Sequence, residues 1–326
     1  MISYAHLFKL RDHFYTLRQR ALGYPKLHRA FLRNQGYPLN LDFPVTHNQR
    51  LVHKMICDRN SLIPITSDKW RVRTYVKEML GAELADKILI PVYHVSKSGK
   101  DIPHTEWNHE FFLKANHGSR LNKLVQPGEN PQSVSELAVS WLGKSYGQGL
   151  HEWAYRDIPR RIICEQVLRD KDGKIPMDVK FYCYHGKCRM VYYVSDRYEG
   201  LSELITDEKQ VVLPFILKHG VKLMPSVPVV DSFDQMLGIA EALSQRFIFS
   251  RVDLYSVEGK VYFGELTHYD GAGMERLQSY EADLAEGRLW LSHNYHKSLS
   301  EVYSEIMEEA KTDFSKKKNW LSASDA

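Results

Sequence analysis

The sequence predicts an α+β fold. Two strand–turn–strand runs stand out, DVKFYCY-HGK-CRMVYYV and RVDLYSV-EGK-VYFGELT, and hairpins impose antiparallel pairing. Stretches with helical apolar spacing precede and separate them, and no complete glycine fingerprint of a dinucleotide fold follows a strand. At 326 residues the chain suits two compact units, or one large unit with an extension.

In chain order, residues 1–65 read as a helical leader with loops. Leu7, Leu10, Phe14 and Leu17 fall at helical spacing, and Pro38, Pro44 and Pro64 interrupt longer elements. Ser67 is a candidate N-cap for a helix whose stripe is Val72, Tyr75, Val76 and Met79, with Gly81 ending it. Strands are predicted over Lys87–Val95, Phe111–Asn116 and Arg161–Val167, and a short helix over Ser133–Leu142. Between the hairpins, Ser232 caps a helix that turns Met236, Ala240, Leu243 and Phe247 inward. From Trp290 onward the chain reads as a charged helical segment, 291–326, with a frayed tail.

Composition narrows the function classes. The 44 Lys and Arg against 40 Asp and Glu leave +4, too balanced for a chain whose main partner is nucleic acid. Apolar runs such as Val211–Leu217 fall far short of the ~20 residues that cross a bilayer, and the N-terminus reads as no signal peptide. Cys57, Cys164, Cys183 and Cys188 form no Cys-x-x-Cys and are expected reduced, in a cytoplasmic setting.

The second hairpin carries the strongest chemistry. A three-residue loop Glu258–Lys260 would set Asp253 opposite Glu265 and Arg251 opposite Thr267, all four on one face. Facing carboxylates repel unless one is protonated or a cation sits between them, and hard oxygen donors suit Mg²⁺. The alternative is a surface hairpin in which Arg251 bridges both acids. A two-residue turn, by contrast, would move Glu265 to the apolar face beside Val252.

Lys114 lies on the polar side of EFFLKAN, ahead of the small loop His117-Gly118-Ser119-Arg120, where a phosphate could be met. Glu165 ends an apolar strand. Asp178 and Lys180 share a face of the next one and could hold a ribose or phosphate, or form an exposed ion pair. Other motifs fail. Gly143-Lys144-Ser145 lacks the earlier P-loop glycine, Ala138 standing in its place, and Gly147-Gln148-Gly149 lacks a third glycine. Asp170-Lys171-Asp172-Gly173 has the D-x-D form of metal-dependent sugar transferases, but lies in a turn-like stretch. His104 and His109 are not at zinc-binding helical spacing.

Taken in order, SDKWRVRTYV, FFLKANHGS, RRIICEQVL, PMDVKFYCYHGK and FSRVDLYSVEGKVYFGELT resemble the ATP-grasp superfamily, and most of all its TupA-like branch of surface-polysaccharide and teichuronopeptide synthesis. The likeness runs from about Lys54 to Gly273 and implies an ATP-grasp domain over 66–290, two α+β subdomains clasping ATP. It implies that Lys69 and Lys114 contact the ATP phosphates, that Glu165, Gln166 and Val167 form the adenine hinge, and that Asp178, with Lys180, holds the nucleotide. Asp253, Glu265 and Thr267 resemble the ligands of two Mg²⁺ ions, Thr267 standing where the superfamily usually has Asn. Arg251 resembles the arginine that stabilises the transferring phosphoryl group. The implied activity joins a carboxylate to an amine through an acylphosphate, attaching an amino acid to a carboxylated sugar or another amino acid. It also implies association with a polysaccharide assembly machinery, at the inner face of a bacterial membrane. Arg197, within the Tyr- and Arg-rich stretch Tyr192–Tyr198, and His268 and Asp270 are expected near the acceptor from proximity. The competing functions are a kinase on the same fold, a glycosyltransferase using Asp170 and Asp172, and a nucleotide-binding scaffold without turnover.

Overall fold

The computed structural model describes residues 14–195, 200–215, 221–291 and 296–323. Helices α1 (14–21), α2 (Pro25–Gln35) and α3 (His47–Cys57) come first. Leu7 and Leu10 lie outside the described residues. Phe14 and Leu17 are exposed, so the expected stripe is not core there; Leu27 and Phe31 of α2 and Leu51, Val52 and Met55 of α3 are buried instead. Thr46 and Gln49 form a full capping box at the start of α3.

A single turn, α4 (Ile63–Thr66), leads into α5 (Val72–Leu80). The residue that satisfies the entry to α5 is Asp68, not Ser67. Its Oδ1 accepts from the backbone N–H of Trp70 at 2.9 Å and Arg71 at 3.3 Å, because α4 carries the chain helically through Ser67. Gly81 ends α5 as expected, with φ 79°. The strand expected from Lys87 does not start there: Ala82–Ile88 is a further helix, α6, favoured by strong helix formers and a Glu83–Lys87 pair at 2.8 Å.

The smaller sheet contains β1 (Val92–Ser96), β2 (Phe111–Ala115), β3 (Asn122–Val125) and β4 (Ile162–Gln166), all antiparallel, in the order β1-β4-β2-β3. Between β3 and β4 runs α7 (Pro131–Gly143), begun by Asn130 and Pro131 rather than Ser133. Its Val134, Ala138 and Trp141 cover Phe111, Leu113, Ala115 and Cys164. Period-two alternation leaves Lys114, Ile163 and Glu165 on the opposite face.

The larger sheet is β5 (Asp178–Tyr184), β6 (Lys187–Ser195), β7 (Ser202–Thr206), β8 (Lys222–Leu223), β9 (Phe249–Val257) and β10 (Lys260–Thr267), ordered β10-β9-β5-β6-β7-β8 with only β7–β8 parallel. One face buries Val179, Phe181, Val252, Leu254 and Leu266 under α8 (Phe233–Ser244). Met236, Ala240 and Leu243 point inward from α8, whereas Phe247 is buried just past its end. Ser232 stands at the N-cap, but its hydroxyl bonds Ser256 at 2.7 Å instead of capping. On the other face, α9 (Tyr280–Leu289) and α10 (Leu299–Ala323) cover the end bearing Tyr184 and Phe249. The expected helical start at Trp290 is the C-cap of α9, and its indole stacks on Phe249 at 5.1 Å between centroids. The remainder of that face is open and looks toward the smaller sheet. All four cysteines are free, with Cys183 paired opposite Cys188.

Candidate active site

Both hairpins close differently from the expected three-residue loops. Each uses two residues with positive φ, His185-Gly186 at 51° and 75° and Glu258-Gly259 at 50° and 76°, and Val257 pairs with Lys260 rather than Val261. Such turns match the strand twist. A two-residue turn alone would have put Glu265 on the apolar face. A bulge at Gly264 supplies one extra residue and restores Asp253 opposite Glu265 and Arg251 opposite Thr267. Only a residue without Cβ fits: a Cβ at 264 would stand 2.9 Å from both the Asp253 carbonyl oxygen and the Tyr255 ring.

The face so formed meets the smaller sheet across a cavity of about 930 Å³. From the larger sheet Asp178, Lys180, Tyr182, Arg251, Asp253, Glu265 and Thr267 line it; from the smaller sheet and its loops come Lys114, Glu165 and Gly118–Asn122. Lys69 is fixed between the two. Its backbone N–H donates to the Asn116 carbonyl at 3.2 Å, and the Asn116 side chain bonds Asp68 at 2.8 Å and accepts from the Arg161 N–H at 2.7 Å. The Lys69 ammonium then reaches the Gly118 carbonyl at 3.1 Å and Glu265 Oε2 at 3.3 Å.

Four of the acids facing the cavity, Glu165, Asp253, Glu265 and Asp270, meet cations. Arg251 Nε and Nη2 donate to the two oxygens of Asp253 at 2.6 and 2.7 Å, and Lys180 adds a third bond at 2.8 Å. Arg251 also reaches Glu265 at 3.3 Å and Thr267 at 3.4 Å, and it pairs with Asp270, which Tyr182 bonds as well. Arg251 therefore does bridge both acids, as in the alternative reading of the hairpin, but it is buried beside a cavity and not on an open surface. Burial works against ionisation of Glu265, yet Lys69, Arg251 and Lys180 hold its carboxyl well below the usual range. Burial likewise opposes Asp270, and Arg251 with the Tyr182 hydroxyl keeps it low. Lys114 pairs with Glu165 and lies over the Phe112 ring at 5.2 Å.

Not every expected site residue gathers here. Gln166 and Val167 do not line the cavity; the Gln166 N–H is spent on the Pro91 carbonyl at 2.9 Å. His268 points the other way from Thr267. It is fully buried against Phe247 and bonded to Thr66 at 2.7 Å, so it offers nothing to an acceptor. Asp270 does line the cavity, and Arg197 lies outside the described residues. Asp170 and Asp172 are in an exposed turn away from the cavity, where Asp170 Oδ1 accepts the N–H of Asp172 and Lys174. Sequence reasoning missed Glu152, Tyr146, Tyr155 and Tyr269 on the cavity wall. The available signal was a carboxylate set among aromatics, EWAY, between two predicted elements.

The model of the TupA-like ATPgrasp family matches residues 49–291. Among solved structures, D-alanine–D-alanine ligase from Bacillus anthracis complexed with ATP is similar at 14% identity and TM-score 0.40, over 75% of this chain and 64% of that one. D-Alanine–D-alanine ligase from Helicobacter pylori is similar at 12% identity and TM-score 0.40, over 70% and 59%. The ATP-grasp ligase PsnB complexed with minimal precursor is similar at 10% and 0.36, over 80% and 63%. The chain thus spans less than two thirds of the length of each of these three. No curated protein matches significantly.

Proposed function

The chain belongs to the TupA-like ATP-grasp family, and from that premise we propose that it is an ATP- and magnesium-dependent ligase joining a carboxylate to an amine. The observation that carries this reading is the convergence of Lys69, Lys114, Lys180 and Arg251 on one cavity that also presents Asp178, Asp253 and Glu265. Phosphoryl transfer needs positioning and charge neutralisation more than covalent protein chemistry, and this lining supplies both.

Lys69 and Lys114 act as point charges on the phosphates, Glu165 and Asp178 hold the nucleoside end, and Lys180 supports them. The donor set fits magnesium. Such an ion usually binds through one or two carboxylates plus phosphate oxygens. The Glu265 side chain is 38% exposed, with the Thr267 hydroxyl 3.3 Å away, and Asp253 keeps lone-pair capacity beyond its three bonds. Bound there, Mg²⁺, as two ions by family likeness, would neutralise charge on the transferring phosphate. Arg251, anchored by Asp253 and Asp270, is preorganised to stabilise the same charge. A carboxylate oxygen of one acceptor attacks the γ-phosphorus and ADP leaves. The amine nitrogen of the other, having given up its extra proton to solvent, then attacks the acyl carbon, phosphate leaves, and the surplus proton on the new amide nitrogen also passes to solvent.

The acceptors are read as an amino acid and a carboxylated sugar or second amino acid, in surface-polysaccharide synthesis on the cytoplasmic side, beside an assembly machinery. Among the described residues no helix is long and apolar enough to cross a membrane. The test is calorimetric titration with Mg²⁺ and a non-hydrolysable ATP analogue, followed by ADP and phosphate release against acceptor pairs. Release requiring both acceptors is expected. A stable phosphoester on one acceptor would make the protein a kinase, and analogue binding unaffected by Lys114→Ala and Glu265→Gln would overturn the site.

A further inference from the structure

Glu152 precedes the 3₁₀ turn Trp153–Tyr155 in the connection from α7 to β4, and it lines the cavity while only 8% exposed. The connection is folded tightly around it. The Glu152 N–H donates to the Gly147 carbonyl at 2.8 Å, and a Cβ at position 147 would stand 2.8 Å from that of Glu152.

Among the described residues its carboxylate has no hydrogen-bond or ion-pair partner. In this it differs from Glu165, Asp253, Glu265 and Asp270, each of which meets a lysine or arginine. Burial alone pushes its carboxyl up to about 7.

Its surroundings are aromatic. Tyr146 and Tyr155 meet edge to face at 4.9 Å between ring centroids, Tyr155 and Tyr269 at 6.4 Å, and the Tyr269 hydroxyl is buried without a partner. Tyr146 and Tyr155 both feel the charges of Glu152 and Glu265, so both stand near the two acids. The Tyr146 ring packs over Gly118, whose carbonyl receives the Lys69 ammonium, so this pocket adjoins the phosphate-facing end of the cavity.

A desolvated carboxylate without a counter-ion is unfavourable unless a ligand supplies one. A carboxylate walled by aromatic faces selects an ammonium, through charge and through the ring quadrupoles. We propose that Glu152, walled by Tyr146, Tyr155 and Tyr269, binds the ammonium of the amine acceptor, a molecule carrying a free primary amine such as an unblocked amino acid. This deepens the ligase reading and rests on it.

The test uses the full chain saturated with Mg²⁺ and AMP-PNP. The probes are the twenty common amino acids and their Nα-acetyl counterparts, followed by ligand-observed NMR. At least one free amino acid is expected to bind the wild type while its acetylated form does not. Glu152→Gln should weaken that binding by about tenfold or more with AMP-PNP affinity within about twofold. Tyr155→Leu, which leaves the carboxylate in place, should weaken it several-fold. Equal binding of free and acetylated forms, Glu152→Gln binding like wild type, or no free amino acid binding to the AMP-PNP complex would each overturn the assignment. Failure of AMP-PNP to bind the wild type would instead overturn the ligase reading beneath it.

Discussion

Glu152→Gln should make the protein more stable above neutral pH. In the folded chain burial raises the Glu152 carboxyl from its ordinary value near 4.5 to about 7. Below about 4.5 the folded and unfolded states both carry the proton, and glutamate and glutamine are equally neutral. Between these two values the unfolded chain has lost the proton while the folded chain retains it. The folded state therefore binds more protons, and wild-type stability falls as pH rises through this window, levelling off above about 7. At about 1.36 kcal/mol per pH unit, the displacement amounts to about 3 kcal/mol. The neutral amide of the Glu152→Gln variant has no such loss. Urea denaturation of both proteins from about pH 4 to about pH 8 should show curves that coincide at the acid end and separate to about 3 kcal/mol in favour of the variant at the alkaline end. A variant less stable than wild type under alkaline conditions, or a gap that does not grow with pH, would refute the picture of a desolvated, unpartnered carboxylate.

Asp253→Asn removes the acceptor of three bonds at 2.6–2.8 Å and leaves Lys180, 7% exposed, short of a counter-charge. A loss of about 3 kcal/mol is expected, partly recovered in Asp253→Asn/Lys180→Met; strict additivity in that double-mutant cycle would show that the two groups do not interact. Glu265→Gln should cost under about 1 kcal/mol, since its ion pairs are partly solvent-exposed, yet abolish ADP release, and an active enzyme would remove Glu265 from the metal set. Gly264→Val should destabilise by about 1–3 kcal/mol in thermal melts, because its Cβ has no room against the Asp253 carbonyl; an unchanged melting temperature would mean that the bulge relaxes freely.

The local alternation of polar and apolar residues is legible in the chain. It identifies β2, β4, both hairpins, and the shared face of Arg251, Asp253, Glu265 and Thr267. That face is right by two compensating differences: the turn has one residue fewer than expected, and the Gly264 bulge has one more. Alternation is a parity, and parity survives such a pair of changes. The apolar run after Lys87 reads as part of a strand beginning there, whereas the Glu83–Lys87 pair and the helix formers before it extend the helix to Ile88. Closeness to the metal strand suggests His268 for the acceptor, but adjacent strand residues face opposite ways.

The α+β class, the ordered set of lysines and acids, and which residues within one strand share a face are written in the chain, because side-chain direction along a strand depends only on neighbouring residues. The chain alone does not say that Arg251 and Lys180 neutralise Asp253, that Lys69 spans from the Gly118 loop to Glu265, or that Glu152 stands desolvated without a cation. Those are matters of burial and charge between segments far apart in the chain, the reach of Lys69 to an acid on β10 being one, and desolvation exists only once distant segments have closed around a group.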